Sequence, residues 1–247
     1  MIKVKTAIIT GASGAIGSAI AEKFIKNEYF TVAQYNKGID KINSFGENMK
    51  EQGLADYLIP FCADFSKPKD VEKLADYILA NFGHADALIL NAGVDLYKLC
   101  TDTTEEEWDN IFDVNVKSNF LLVKKLLPSM ISRGKGKIIF ISSIWGNNGA
   151  CMESAYSATK SAIIGFAKSL AKEVGPSGIT VNCVSPGVID TPMNDRFSKD
   201  EKAQLIDRTP LGRFGKPEEV AELVEFLCER GDFITGQNIT IDGGFTL

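Results

Sequence analysis

The feature that most constrains the fold is an alternation. Short apolar runs rich in β-branched residues are separated by stretches of helical periodicity. K-T-A-I-I-T (5–10), F-T-V-A-Q-Y (30–35), Y-L-I-P-F-C-A-D-F (57–65) and A-L-I-L-N-A-G (87–93) read as strands, as do K-I-I-F-I-S-S (137–143), I-T-V-N-C-V-S-P-G (179–187) and Q-N-I-T-I-D-G-G (237–244). Helices are expected over 16–26, 42–52, 71–82, 104–132, 155–174 and 217–229. Ser66 and Pro68 supply a cap and first turn for the third, and T-T-E-E-E-W a capped, acidic start for the fourth. Strict alternation implies parallel strands joined by right-handed crossovers, with helices on both faces. The expectation is an α/β doubly wound parallel sheet, forming one domain over 1–247, with no repeat or low-complexity tract.

In such sheets ligands bind outside the C-terminal strand ends. Gly11, Asn36, Asp64, Asn91, Ser143 and Pro186 all fall at those ends. Six strand tips facing one crevice constrain function more than any single motif does.

The first tip is T-G-A-S-G-A-I-G, a glycine turn between a strand and a helix. Glycines let backbone approach a phosphate, and the helix N-terminus attracts its charge. Gly11, Gly14 and Gly17 do not match G-x-G-x-x-G, so the turn reads as a wider variant of the dinucleotide turn, the alternative being a ligand-free tight turn. No Lys-Ser/Thr follows, which excludes a P-loop. At the second tip no acid precedes Asp40 to bind ribose hydroxyls. Asn36 and Lys37 can instead take a 2'-phosphate, favouring NADP(H) over NAD(H). Lys37 as a solvated loop charge is the other reading.

The chemistry concentrates between Ser142 and Lys160. Tyr156 and Lys160 stand four apart on a helix, hence on one face. An ammonium nearby favours the phenolate and lowers the tyrosine pKa, so the pair can move a proton to or from an oxygen. Ser143 can hold that oxygen. An amphipathic helix with a surface lysine and a half-buried tyrosine is the alternative. Asn115 sits in mid-helix, where asparagine is a mediocre former, and is a candidate for a purpose other than propensity.

Several classes are excluded by composition. His84 is the only histidine, lying in a polar loop, so a Ser-His-Asp triad or a multi-histidine metal site is not expected. No metal site is expected. A net charge of −5 without a basic block argues against nucleic acid. No apolar run approaches a membrane span. The first strand starts at Lys5, so no secretory leader is expected, and five scattered cysteines without C-x-x-C read as reduced thiols of a cytoplasmic protein.

Taken in order, T-G-A-S-G-A-I-G, N-A-G (91–93), Asn115, Ser143, Tyr156-x-x-x-Lys160 and P-G-V-I-D-T (186–191) resemble the short-chain dehydrogenase/reductase family from Lys5 to the C-terminus. The resemblance implies a Rossmann fold of seven parallel strands, a nicotinamide dinucleotide and an oxidoreductase. It makes Tyr156 the proton donor, Lys160 the ribose-holding residue that depresses the tyrosine pKa, Ser143 the substrate-oxygen partner and Asn115 the holder of a relay water behind Lys160. It places Gly11, Ser13, Gly14 and Ile16 on the pyrophosphate and adenosine side. Asp64 and Phe65 then contact adenine, Asn91 and Gly93 pack near the ribose, and Val188 and Thr191 fix the carboxamide and pyrophosphate. Ala15 departs from the family's second glycine, and Gly14 stands where many NADP-preferring members are basic.

The C-terminal half is similar to the β-ketoacyl-[acyl-carrier-protein] reductases of fatty acid biosynthesis through S-G-I-T-V-N-C-V-S-P-G, P-L-G-R-F-G-K-P-E-E-V-A and I-T-G-Q-N-I-T-I-D-G-G. C-T-D-T-T-E-E-E-W-D, I-S-S-I-W-G and G-A-C-M-E-S-A-Y-S-A resemble a paralogous group that reduces an aminopentanone-modified lysine on elongation factor P. The substrate is thus a small-molecule or carrier-bound carbonyl, a 3-oxoacyl thioester first, with the aminopentanone and a sugar or polyol as alternatives. Glu153 either pairs with a substrate ammonium or caps the helix. Trp145 either lines the pocket or fills core. The family implies a homo-oligomer, a tetramer built on the two long helices. A dinucleotide-binding regulator without catalysis is the remaining class, and retention of both Tyr156 and Lys160 speaks against it.

Overall fold

Residues 5–247 are described by a computed structural model. Each apolar run forms a strand: β1 (Thr6–Ile9), β2 (Phe30–Tyr35), β3 (Leu58–Cys62), β4 (Ala87–Leu90), β5 (Gly136–Ile141), β6 (Ile179–Pro186) and β7 (Asn238–Ile241). All pair in parallel in the order β3-β2-β1-β4-β5-β6-β7. Between them run α1 (Ala15–Lys26), α2 (Ile39–Glu51), α3 (Pro68–Phe82), α4 (Glu105–Phe112), α5 (Ser118–Arg133), α6 (Ile144–Asn148), α7 (Ser154–Val174), α8 (Lys199–Asp207) and α9 (Pro217–Glu229).

Both faces of the sheet are covered, which is why the strands read as continuous apolar runs rather than alternating ones. Successive side chains go to opposite faces. Ile8, Leu88, Ile138 and Phe140 pack with Leu74 of α3, Leu122 of α5 and Ile163 of α7. Ala7, Ile9, Ile89 and Ile139 pack with Ile20 and Phe24 of α1 and Val220 and Val224 of α9. The strand order reverses at β1, whose two neighbours are β2 and β4. The crevice opened there lies at the C-terminal strand ends.

The structure corrects three expectations. The helix expected over 104–132 is broken: Thr104 and Glu107 form the capping box, but Asp113–Lys117 is a π-helical turn between α4 and α5. Hydrophobic periodicity runs through a single wide turn without losing its face, which is why the pattern read as one helix. Ser66 does not cap α3; its hydroxyl donates to Asp64 Oδ1 at 2.7 Å, and Pro68 alone marks the first turn. Ser143 lies beyond β5 rather than at its end, as the N-cap of α6, accepting from the Trp145 amide at 3.2 Å. The stretch 190–211 carries a 3-10 turn (Pro192–Arg196) and α8, and borders the crevice through Thr191, Asn194, Arg196 and Leu205.

Candidate active site

The glycine turn is shaped by contacts that leave no room for side chains. Gly11 has φ +68, and a Cβ there would lie 2.9 Å from Ala92 Cα. Gly17, in the first turns of α1, would place a Cβ 2.2 Å from the Gly11 carbonyl oxygen. Asn91 ties the turn to β4: its Nδ2 donates to the carbonyls of Thr10 (2.9 Å) and Gly11 (3.3 Å). Thr10 Oγ1 accepts from the amides of Asn91 and Ala92, both at 2.9 Å. Gly14 caps α1 without a side-chain hydrogen bond, and the first turn carries no acid. An uncapped helix start facing a crevice is a ready anion site.

A buried residue that sequence reasoning missed completes this end. Gln34 of β2 accepts from the Gly11 amide at 2.9 Å and donates to the Ala63 carbonyl at 2.7 Å. It clamps the tips of β1 and β3 to β2. The available signal was a polar side chain inside an apolar strand, since such a group, once buried, needs partners.

Toward the β2–β3 edge, Ser13 Oγ donates to the Lys37 carbonyl at 3.0 Å, which brings the turn against the exposed Asn36–Lys37 pair. Asp64 is occupied by Ser66 and by Lys67 (3.0 Å), and these contacts hold its carboxyl below the usual range. The Phe65 side chain is buried in the core, so only its backbone is left to meet a base. Ile16, Asn91, Gly93, Val188 and Thr191 share one pocket with Ser143, Trp145, Glu153, Tyr156 and Lys160.

At the centre, α7 brings Tyr156 and Lys160 to the tip of β5. Gly146 permits this: a Cβ there would lie 2.9 Å from the Lys160 backbone carbon. Ser142 Oγ donates to the Lys160 carbonyl at 2.9 Å, and Ser161 Oγ to the Gly146 carbonyl at 2.6 Å, locking α6 onto α7. The Lys160 ammonium donates to the Ile141 carbonyl at 2.9 Å and lies 5.5 Å from the Tyr156 ring centroid. Gly93 packs over both partners, since a Cβ would meet Asn115 Oδ1 at 3.3 Å and Lys160 Nζ at 3.4 Å.

Asn115 lies in the π turn and is fully buried. Its side chain accepts from the Val94 amide (2.8 Å) and donates to the Val94 carbonyl (2.9 Å) and to Thr159 Oγ1 (3.1 Å). It therefore fastens the loop after β4 to α7. The wide turn is what points an asparagine inward at this register.

The electrostatics differ from the simple pairing expected. Burial pushes the Tyr156 phenol above its ordinary value, Glu153 adds to the rise, and an interaction with the Ser143 hydroxyl works the other way. Burial also lowers Lys160, to about 8. Desolvation disfavours both charged forms and is the largest influence on each group.

At the pocket mouth, Glu153 is 4 % exposed. It occupies the N-cap position of α7 but makes no capping bond with its side chain. It pairs instead with Arg196 Nη2 at 2.7 Å, while Arg196 Nη1 reaches Asp95 at 2.6 Å. Trp145 is half-buried, lines the pocket and meets Phe245 edge-on at 5.8 Å.

The profile of a family described as "Enoyl-(Acyl carrier protein) reductase" matches residues 11–246. The chain is a short-chain dehydrogenase/reductase. As a member of this family it is an NAD(P)-dependent oxidoreductase. It is 37% identical over 243 residues to an uncharacterized oxidoreductase, YmfI, of Bacillus subtilis, covering 98% of each chain. It is 36% identical over 241 residues to the 3-oxoacyl-[acyl-carrier-protein] reductase FabG of Staphylococcus epidermidis, covering 97% of this chain and 98% of the relative. To the FabG of Buchnera aphidicola it is 35% identical over 244 residues, covering 97% and 96%. For a short-chain dehydrogenase/reductase the glycine cradle, the uncapped start of α1 and the shared pocket fit a nicotinamide dinucleotide. No helix among the described residues is long and apolar enough to cross a membrane.

Proposed function

We propose that the protein reduces a ketone to a secondary alcohol with NADPH, Tyr156 giving the proton. The observation that carries this reading is the convergence of Ser143, Tyr156 and Lys160 on the pocket that also contains Ile16, Gly93 and Thr191. The dinucleotide supplies the hydride when bound. Ser143 and Tyr156 direct two hydroxyls at one substrate oxygen, and Lys160 holds positive charge behind it as negative charge develops. Asn115 keeps the loop carrying Gly93 seated against α7. Two hydroxyls for one oxygen suit C=O reduction better than reduction of a carbon–carbon double bond. The reading includes a cytoplasmic homo-oligomer, with Trp108, Phe120 and Ile131 as exposed apolar surface of α4 and α5.

The NADPH preference is supported by Lys37, exposed at the tip of β2 and joined through its carbonyl to Ser13. Lys37→Ala weakens NADPH about fivefold, as loss of one exposed charge contact of about 1 kcal/mol would, and leaves NADH unchanged. Titration of both dinucleotides checks this, and equal losses would detach Lys37 from the 2'-phosphate.

For the substrate, a 3-oxoacyl thioester on a carrier is the first reading, supported by the names of the FabG relatives. A second has its own observation: the buried Glu153, with Asp95, puts two carboxylates against a single guanidinium beside Tyr156. That wall suits a ketone bearing a primary ammonium, such as the aminopentanone modification of elongation factor P, and suits a plain acyl chain less. Steady-state kinetics with acetoacetyl thioester and an aminopentanone, each with NADPH and NADH, separate the two. Under the second reading Glu153→Gln raises KM for the amino-ketone by about tenfold, the loss of one charge-assisted hydrogen bond, and hardly moves the thioester. Equal effects on both would remove Glu153 from substrate recognition.

A further inference from the structure

Arg196 lies outside every motif, yet it is the most heavily engaged side chain at the pocket mouth. Its guanidinium bridges Asp95, in the loop after β4, and Glu153, at the start of α7, at 2.6 and 2.7 Å. It also lies 4.8 Å from the Tyr97 ring centroid and 5.0 Å from that of Phe197. Two carboxylates and two aromatic rings thus fix one residue of the 3-10 turn Pro192–Arg196. Asn194 fastens the same turn through the Ile189 carbonyl at 2.5 Å. The segment that borders the pocket is therefore joined to the helix that carries Tyr156 by a charge pair three residues from that tyrosine.

We infer that Arg196 is a positioning residue for the proton transfer: it seats the 190–208 segment on the pocket and neutralises the buried Glu153 carboxylate beside Tyr156. The inference rests on the carbonyl-reductase reading and adds to it a residue that acts on the proton transfer through Glu153 and Tyr156. Glu153 is six per cent exposed at its side chain, so an unpaired charge there would act on the phenol through little solvent. Burial raises the Glu153 pKa and Arg196 opposes the rise. Glu153 and Asp95 raise the Tyr156 pKa, and Arg196 lowers it.

The other groups around the pair leave this assignment to Arg196. From α7 itself comes Lys160, held on the Ile141 carbonyl. From the loop after β4 comes Lys98, whose ammonium is taken by Glu107 of α4 at 2.7 Å and whose amide donates to the Met152 carbonyl at 2.6 Å. From β6 comes Cys183, whose thiol burial pushes up to about 12 and keeps neutral. From the loop before α6 comes the Ser143 hydroxyl. Arg196 is the cation paired with Glu153.

The test is a double-mutant cycle read in pH. Oxidation of a 3-hydroxybutyryl thioester, the reverse of ketone reduction, needs the phenolate. In Arg196→Met its rate near neutral pH falls about tenfold, the effect of a one-unit upward displacement of the phenol, and the alkaline rise in kcat moves up by that unit. Adding Glu153→Gln to Arg196→Met restores both. Equal losses in the single and double variants would reduce Arg196 to a structural tie and overturn the inference. So would an unmoved pH profile. Should Arg196→Met fail to fold, Glu153→Gln alone carries the test, its alkaline rise moving down, and an unmoved rise counts against us. A second readout needs no turnover: the Glu153 carboxyl carbon, assigned by its loss in Glu153→Gln, titrates at higher pH in Arg196→Met or Arg196→Gln than in the parent. An identical midpoint refutes the neutralisation. If the parent turns over no ketone, the functional reading falls while the carboxyl titration still decides the role of Arg196.

Discussion

Tyr156→Phe lowers kcat for ketone reduction by about 10²–10⁴-fold, the range by which a positioned acid accelerates a reaction, and leaves dinucleotide binding intact. The phenol is the one acidic hydroxyl in the pocket beside Ser143, and phenylalanine keeps the ring while removing the proton. The geometry also fixes how rate depends on pH. Burial raises the Tyr156 pKa, so the phenol stays protonated across the neutral range and is always charged with the proton that reduction consumes. Lys160, with its pKa at about 8, is an ammonium below that pH. It stabilises the phenolate as it forms, so reduction slows as pH rises through about 8 and the lysine neutralises. Alcohol oxidation, which starts from the phenolate, runs the other way and gains with pH. Following the absorbance of the reduced nicotinamide measures both rates. Fluorescence titration of the dinucleotide in the variant supplies the control. A Tyr156→Phe enzyme with near-parental kcat would move the proton donor elsewhere. A variant that loses dinucleotide binding along with activity would make the tyrosine a part of the cofactor cradle first.

The architecture was legible because both faces of the sheet are covered. That forces apolar, β-branched runs, and β2 and α9 were bounded in the sequence where the structure has them. The strand tips followed from alternation alone, and with them the crevice. What was hidden depended on distance along the chain or on buried partners. Arg196 meets Asp95 across 101 residues, and no local pattern marks either as the other's partner. Gln34 looked like an ordinary strand residue because its partners, Gly11 and Ala63, belong to two other strand ends. The π turn is not marked in the periodicity, because its apolar face continues from α4 into α5, and only the mid-helix Asn115 stands out there. The raised Tyr156 pKa departs from the helical-pair expectation for a plain reason. Spacing gives direction on a helix but says nothing of burial, and here burial is the larger influence on both groups.

Gly17→Ala destabilises the protein by about 1–3 kcal/mol, as forcing a methyl into a packed site does, and removes most of its dinucleotide affinity. In an exposed helix the same substitution is favourable by about 1 kcal/mol, because alanine loses less backbone entropy. The sign reverses here because the new Cβ would stand 2.2 Å from the Gly11 carbonyl oxygen and 2.7 Å from Asn91 Nδ2. Neither can yield without consequence. The Gly11 carbonyl belongs to a residue at φ +68 whose far side already abuts Ala92, and Asn91 holds the turn through the carbonyls of Thr10 and Gly11. Relief must come by moving α1 away from β1, which opens the helix start from the crevice it faces. The matching control is Gly46→Ala in α2, where the nearest atom to a new Cβ is Leu58 Cδ2 at an ordinary 3.8 Å. That variant gains about 0.5–1 kcal/mol, and its dinucleotide affinity does not change. Thermal unfolding reads the contrast directly: Gly17→Ala drops Tm by roughly 2–12 °C for a chain of this size, and Gly46→Ala raises it. Were both substitutions to stabilise, or were Gly17→Ala to bind the dinucleotide as the parent does, the close approach of α1 to the β1 turn would not be what forms the nucleotide cradle.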